Sequence, residues 1–491
     1  MTNATTALPR PTSGPIPPNS GGHLTSTPPW RALPVLLAGA FLPVLDAFIV
    51  NVALATMGRT LHAGPAELEL TVSAYGVAYA CALIAGGRLG DRFGRRTLFL
   101  LGMAAFTLCS VACGFAPNAP ALIVFRVFQG LAAAMMFPQV LATIQASFAG
   151  HDRQRAIGFF GATVGAAGAV GQIVGGTLLS ANLFGSSWRP IFLVNLPVGI
   201  VALLIGRRTV PQTSASAAAR VDARGAIGLA TVIGLVLLPL TVGRASGWPL
   251  WTWICLAAAV PAGIAFVASQ YREERLGRIP LLPPSLLGLP LARLALATIA
   301  LFGTCVGGFL FSLSIILQVG HGYSPLKAGL TMGPCALAFF AIALSARRLT
   351  VHFGVTVLIV GALVFAAGLA VFGVVAATSG SALSAVAAAA PLIVVGLGWG
   401  AVMVPLVGLV LAGLPVERAG LAGGVLSTAL QIGLATGASM LGTVVFAIIG
   451  SHPGTRSWRH ATLAAVAVEC GLAVATAAFS YRLRVIVRQQ A

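Results

Sequence analysis

The sequence predicts an all-α polytopic membrane protein of fourteen spans: two six-helix bundles, with two additional helices between them in the chain. Three observations predict it. The 491 residues are 58% hydrophobic and only 8% charged, with a mean hydropathy of +0.96. A water-soluble domain carries about a quarter of its residues as Asp, Glu, Lys and Arg. The apolar residues come in runs of roughly 20, the length that crosses a bilayer as a helix. The basic residues are crowded into alternate connections, as the positive-inside rule requires. A globular enzyme in water is excluded at this step.

Residues 1–30 are rich in Pro, Ser, Thr and Gly, with Arg10 the one charged side chain. Such a segment builds no core and reads as a disordered cytoplasmic tail. No basic region leads into a short apolar run, so a cleaved signal peptide is not expected. The first six spans fall near 32–55, 70–88, 97–116, 119–142, 156–180 and 190–206, within an N-terminal bundle of residues 31–208. Residues 209–285 form a linker holding two extra spans, near 225–243 and 249–269. The C-terminal bundle, residues 286–485, holds spans near 291–317, 326–346, 354–376, 384–412, 421–449 and 461–481, and residues 486–491 read as a second cytoplasmic tail.

Charge tests the count. With the N-terminus in the cytoplasm, 22 of the 29 basic residues fall inside, among them Arg88, Arg92, Arg95, Arg96, Arg220 and Arg418. Six fall outside: Arg59, Arg189, Arg244, Lys327, Arg456 and Arg459. Arg126 alone lies within a span. A wrong count would flip the sides partway and blur this asymmetry. The net charge of +19 is thus a topology signal rather than a nucleic-acid footprint. Trp188, Trp248 and Trp251 sit near proposed outer interfaces, as belt tryptophans do. The seven cysteines form no CxxC pair, so neither a metal site nor a disulfide framework is expected.

An internal repeat supports two related halves. The connection after the second span reads Phe93-Gly94-Arg95-Arg96, continuing to Gly102. The one after the tenth reads Phe353-Gly354-Val355-Thr356, continuing to Gly361. Parallel repeats of this kind mark transporters.

Polar residues inside spans are costly and point to function. Asp46 lies mid-span in the first helix, where a carboxyl group can load and release a proton or serve as a structural hydrogen-bonding group. Arg126, in the fourth span, cannot shed its proton. It needs a cavity, an interface or a partner, and Asp46 is the natural one. Glu469, in the last span, is a candidate second titratable site. Asn51, Gln129, Gln139, Asn195, Gln318 and Gln431 are candidate cavity-lining groups. Glycines 158, 161, 165, 168, 171 and 175 recur at steps of three and four, so they share one face of the fifth helix, where close packing and rocking of helices are easy. No GxxxxGK[ST] loop is present and Lys327 is the single lysine, which argues against ATP-driven transport.

The segment Gly87-Arg88-Leu89-Gly90-Asp91-Arg92-Phe93-Gly94-Arg95-Arg96 resembles the loop between helices 2 and 3 of the major facilitator superfamily. Its glycines permit close helix ends, and Asp91 and Arg95 are spaced to pair across one turn. Further motifs are similar to those of the fourteen-helix drug:proton antiporter branch. They include Leu45-Asp46 with Asn51-Val52-Ala53-Leu54, then Arg126 with Gln129 and Gly130. Gly171-Gln172-Ile173-Val174-Gly175-Gly176 resembles the fifth-helix motif, and Trp188-Arg189 with Asn195 the start of the sixth. The resemblance implies a conformational-switch loop at residues 87–96, proton coupling through Asp46 and Arg126, and gating at the fifth-helix motif. Three positions depart from the pattern: Ala55 and Gln172 stand where proline is usual, and Leu70 where tryptophan is. Gln172 weakens that motif's argument for export.

The expected function is proton-coupled antiport, exporting small organic compounds by alternating access. The expected partners are protons, the substrate and the bilayer, not nucleic acid. No cofactor is expected, the proton gradient being the energy source. The expected setting is a bacterial inner membrane, as a monomer with both termini cytoplasmic. A dedicated metabolite exporter or a proton symporter is the alternative. A membrane enzyme would need a catalytic constellation that the acidic residues do not form.

Overall fold

A computed structural model describes residues 29–182, 185–213, 222–243, 247–278, 280–282, 284, 288–379, 383–412, 419–450 and 454–490. Residues 1–28 of the tail expected over 1–30, and Arg10, Arg220, Arg244 and Arg418 of the charge pattern, lie outside these residues.

Fourteen helices among the described residues are long and apolar enough to cross a membrane. The first half holds α1 (Leu33–Leu61), α2 (Pro65–Phe93), α3 (Arg95–Gly114), α4 (Ala119–Ser147), α5 (Gly150–Ala181) and α6 (Pro190–Thr209). Next come α7 (Ala223–Val242) and α8 (Leu250–Arg275). The second half holds α9 (Pro290–Ile315), α10 (Pro325–Phe353), α11 (Thr356–Thr378), α12 (Ala385–Ala412), α13 (Ala419–Ile449) and α14 (Thr455–Gln490). The last helix runs through most of the stretch expected as a C-terminal tail.

Local chemistry sets the ends. Asn118 and Asp222 accept from the backbone amides of Ala121 and Gly225, at 2.9 and 2.8 Å, satisfying open donors at the starts of α4 and α7. Pro65, Pro190 and Pro290 begin their helices, where a missing amide hydrogen costs nothing. α6 breaks at Val194, so its helix restarts at Asn195. α9 ends in a π-helical turn, Ile316–Gly320.

The two halves repeat one contact pattern. α1 packs on α5 as α9 packs on α13; α2 on α4 as α10 on α12; and α3 on α4 and α6 as α11 on α12 and α14. The junctions singled out as a repeat match in backbone detail. Gly94 and Gly354 each end a helix with φ of 94° and 57°, a region costly for residues with a Cβ. Gly102 and Gly361 then pack against α4 and α12.

The halves meet where α5 lies on α10 and where α2 and α4 lie on α13. The glycine stripe of α5 does not serve a single neighbour. A methyl group at Gly161 or Gly165 would meet Val404 of α12 or Phe339 of α10; at Gly168, Gly171 or Gly175 it would meet α1. Gly171 faces the carbonyl of Leu45, one residue before Asp46. Gly176 packs on Leu326, and Gln172 packs on Gly329, across the inter-half seam.

α7 packs on α8, α2 and α13, over the seam between halves. Only 28% and 17% of the apolar stretches of α7 and α8 are buried, against 61% for α1, so the extra pair is peripheral. Trp188 is buried against Phe192, and its indole donates to Thr60 Oγ1 at 2.8 Å near the end of α1, where its polar end finds a partner.

Candidate functional site

Asp46 and Arg126 form a fully buried ion pair joining α1 to α4. One carboxylate oxygen of Asp46 meets Arg126 Nη1. The other accepts from Gln129 Nε2 at 2.9 Å and Asn195 Nδ2 at 3.1 Å. The break in α6 is what restarts the helix at Asn195. Arg126 Nε donates to the Thr71 carbonyl at 3.0 Å, and Nη1 also to Gln129 Oε1 at 2.9 Å. Asn195 Nδ2 donates further to Ser110 Oγ at 2.9 Å. Five helices therefore meet at one charge pair. Such a pair survives burial only when hydrogen bonds satisfy both ions, and here they do for most of the donors and acceptors.

Tyr75 of α2 closes one side of this chamber. Its ring centroid lies 4.2 Å from the Arg126 guanidinium carbon, and its hydroxyl donates to the Pro43 carbonyl at 2.9 Å. Tyr75 and Pro43 also line a cavity of about 290 Å³. The first half contributes Phe48, Tyr79, Phe137 and Phe160 to its wall; the second contributes Met332, Phe339, Trp399 and Val404. Gln172, Ser427 and Gln431 contribute hydroxyl and amide groups besides the tyrosines, and among the described residues no lining side chain is charged. Tyr75 and Ala47, the chain neighbour of Asp46, thus stand between an apolar chamber and a buried charge pair.

The polar residues named from the sequence divide. Gln431 lines the cavity, as do Gln172, Gly161, Gly165 and Gly168. Gln129 and Asn195 belong to the ion-pair cluster instead. Gln139 is buried against α2, donating to the Gly86 carbonyl at 2.8 Å. Asn51 is exposed and donates to Ala47 O within its own helix, and Gln318 donates to Ser314 Oγ at 2.8 Å. Neither Asn51 nor Gln318 is in the cavity wall. In each case a partner within the helix or bundle satisfies the amide. Tyr75 was missed, although two of the chain's five tyrosines, Tyr75 and Tyr79, stand one helical turn apart in α2.

Glu469 is buried on α14 and meets Ser312 Oγ of α9 at 2.5 Å. Glu469 thus joins the sixth helix of the second half to the first, whereas Asp46 is held from α4 and α6. Among the described residues no basic side chain pairs with Glu469.

The stretch expected as a loop, residues 87–96, is helical except at Gly94, since α2 runs to Phe93 and α3 begins at Arg95. Across this junction Asp91 pairs with Arg95 at 3.2 Å, and Arg95 also donates to Ala142 O of α4 at 3.1 Å. Arg88 reaches the carbonyls of Pro280 and Leu281 in the segment after α8. Arg96 donates to the Arg207 carbonyl at the end of α6. Gly90 makes room for the Gln139 side chain, while Gly87 is buried and Arg92 exposed.

The description "Major Facilitator Superfamily" matches residues 36–226 and 222–438. The chain belongs to this superfamily. It is a transporter, not an enzyme, and falls in the superfamily's fourteen-helix drug-exporter branch. Among similar proteins is a probable actinorhodin transporter of Streptomyces coelicolor, 33% identical over 89% of this chain and 76% of that one. A tetracenomycin C resistance and export protein of Streptomyces glaucescens is 33% identical over 86% of this chain and 77% of its own length. A cephamycin export protein of Amycolatopsis lactamdurans is 34% identical, covering 84% of each chain. The human organic anion transporter MFSD10 shares the fold, with a TM-score of 0.65 at 17% identity over 92% of this chain and all of that one.

Proposed function

We propose that this transporter is a proton-coupled antiporter that exports small organic compounds, with Asp46 as proton carrier and Arg126 as its electrostatic modulator. The observation that carries this reading is the placement of the Asp46–Arg126 pair directly behind Tyr75, a wall residue of the central cavity. Protonation of Asp46 removes the negative partner of Arg126. The guanidinium then keeps Thr71 O, Gln129 Oε1 and the Tyr75 face, and the change is felt at the wall. A substrate pressing on that wall biases the pair in return, since coupling between two sites is reciprocal. A proton moving inward down the membrane potential supplies about 2.3 kcal/mol per 100 mV, and no other cofactor is needed.

Export as the direction rests on the relatives, which are named for export or resistance. Several of those names carry a single compound, and this favours a second form of the same reading, a dedicated exporter of one metabolite. We place the protein in the bacterial plasma membrane as a monomer with both termini cytoplasmic. Residues 31–208 and 286–485 are its rocking bundles, and 209–285 an inserted linker.

The test is reconstitution in liposomes containing a pH-sensitive dye, with a proton gradient imposed. Substrate should dissipate the gradient through the wild-type protein and not through Asp46→Asn. Equal dissipation by both would overturn the assignment.

A further inference from the structure

The cavity wall is built from two rows of aromatic rings, one from each half. Tyr75, Tyr79, Phe137 and Phe160 form the first, with successive centroids 6.0, 6.0 and 5.6 Å apart. Phe339 and Trp399, 5.1 Å apart, form the second. Gln172 and Gln431 can donate and accept hydrogen bonds there but carry no charge. Asp46 and Arg126 neutralise each other behind Tyr75.

We propose that the compound carried is an uncharged, planar aromatic molecule. It stacks between these two rows, with its polar edge groups bonded to the amides of Gln172 and Gln431. The inference rests on the transport reading above and narrows its substrate class.

Charge decides the class. A cation entering this chamber sheds its water and finds no carboxylate. Ring faces return only part of that loss. An anion fares worse, because aromatic faces are negative and no basic side chain among the described residues lines the wall. A flat neutral ring loses least hydration and gains offset or edge contacts with either row. Size sets a second limit. A volume of about 290 Å³ is at the lower end of ligand cavities, which suits a few fused rings rather than a macrocycle.

The test uses three probes of one shape and different charge: phenanthridine at pH 8, N-methylphenanthridinium and phenanthrene-9-carboxylate. The full chain is placed in lipid nanodiscs, and quenching of tryptophan fluorescence is followed during titration. Trp399→Phe identifies the share of the signal that comes from the cavity. Phenanthridine should bind about tenfold or more tightly than either ion, and most of its quenching should vanish in Trp399→Phe. Either ion binding as tightly as phenanthridine would overturn the proposal. So would phenanthridine failing to bind, or quenching unchanged in Trp399→Phe. The three-probe comparison on the wild-type protein stands even if the variant misfolds. No gradient is imposed, so failure here leaves the proton-antiport reading standing, and the liposome assay tests that reading by itself.

Discussion

The ring of Tyr75 lies 4.2 Å from the guanidinium carbon of Arg126, and Tyr75 is at the same time part of the central cavity wall. This is the aromatic contact between the cavity wall and the buried charge pair, beside the backbone link through Ala47, which lines the cavity next to Asp46. A cation held over an aromatic face away from water gains about 2 kcal/mol, while a single hydroxyl hydrogen bond is worth about 1 kcal/mol net. Tyr75→Phe keeps the first and loses the bond to Pro43 O. It should transport with near-normal coupling. Tyr75→Leu loses the ring as well. It should move fewer protons per substrate molecule, by about threefold or more, in a liposome assay that follows both fluxes together. An unchanged ratio in Tyr75→Leu would remove Tyr75 from the coupling path.

The Asp46–Arg126 pair yields a stability prediction with a sign. Removing one member of a buried pair leaves an uncompensated charge and costs about 3–5 kcal/mol. Arg126→Gln strands the Asp46 carboxylate, and Asp46→Asn strands the guanidinium. Both single variants should melt several degrees below the wild-type protein. The double variant Asp46→Asn/Arg126→Gln strands neither, so it should melt above both singles while remaining inactive in gradient-driven transport. Thermal unfolding of the four proteins in one detergent checks the cycle. Additive losses would mean that the two side chains do not interact.

How much of this was legible beforehand depended on residue type. Asp46 and Arg126 were readable because lipid excludes charge, so one charged side chain in an apolar span needs a reason. The Asp91–Arg95 pair was readable from its spacing of four. Gln129, Gln139 and Asn195 were recognisable as polar groups needing partners. Their type does not say whether the partner is a cavity, an ion pair or a backbone carbonyl. The aromatic wall was illegible for a different reason. Phe160 is 6% exposed and faces the cavity, whereas Phe128 is 56% exposed on the outer face. Composition treats a side chain in lipid and one in an apolar chamber alike, because both environments reward the same chemistry. The two halves were visible in short glycine-bearing junctions, where backbone geometry and not side-chain chemistry constrains the residue.

Glu469 provides the contrast to Asp46. Its carboxyl meets the Ser312 hydroxyl, and no basic side chain among the described residues pairs with it. Glu469→Gln therefore strands no ion and keeps a hydrogen-bonding group of the same shape. It should fold normally, with a melting temperature within a few degrees of wild type, and should retain substrate export. The informative reading is stoichiometry. If Glu469 carries a second proton, the variant should move fewer protons per substrate at an unchanged substrate affinity. If it is structural, both numbers should match the wild-type protein. Loss of export altogether would contradict the geometry.

The last turns of α2 are tied through Arg88 to the segment that follows α8, and the bond can be tested without a substrate. Arg88 donates to the carbonyls of Pro280 and Leu281. The amides of the same segment are held from the other side. Leu282 N donates to Gln270 Oε1 at 3.0 Å and Leu281 N to Asp222 Oδ2 at 3.4 Å. Asp222 in turn caps α7, which packs on both α2 and α13. The C-terminal end of α2, the extra helices and the second half thus share one polar strap. Arg88→Ala removes the arginine's contribution and leaves both capping bonds in place. Amide hydrogens of Leu281 and Leu282 should exchange about tenfold faster, since local opening is governed by the bonds that close it. Arg92→Ala is the control, because Arg92 is exposed with its guanidinium 5.1 Å from the Phe93 ring. Exchange at both leucines should then stay at the wild-type rate. Equal protection in Arg88→Ala would mean that the strap is held by Asp222 and Gln270 alone.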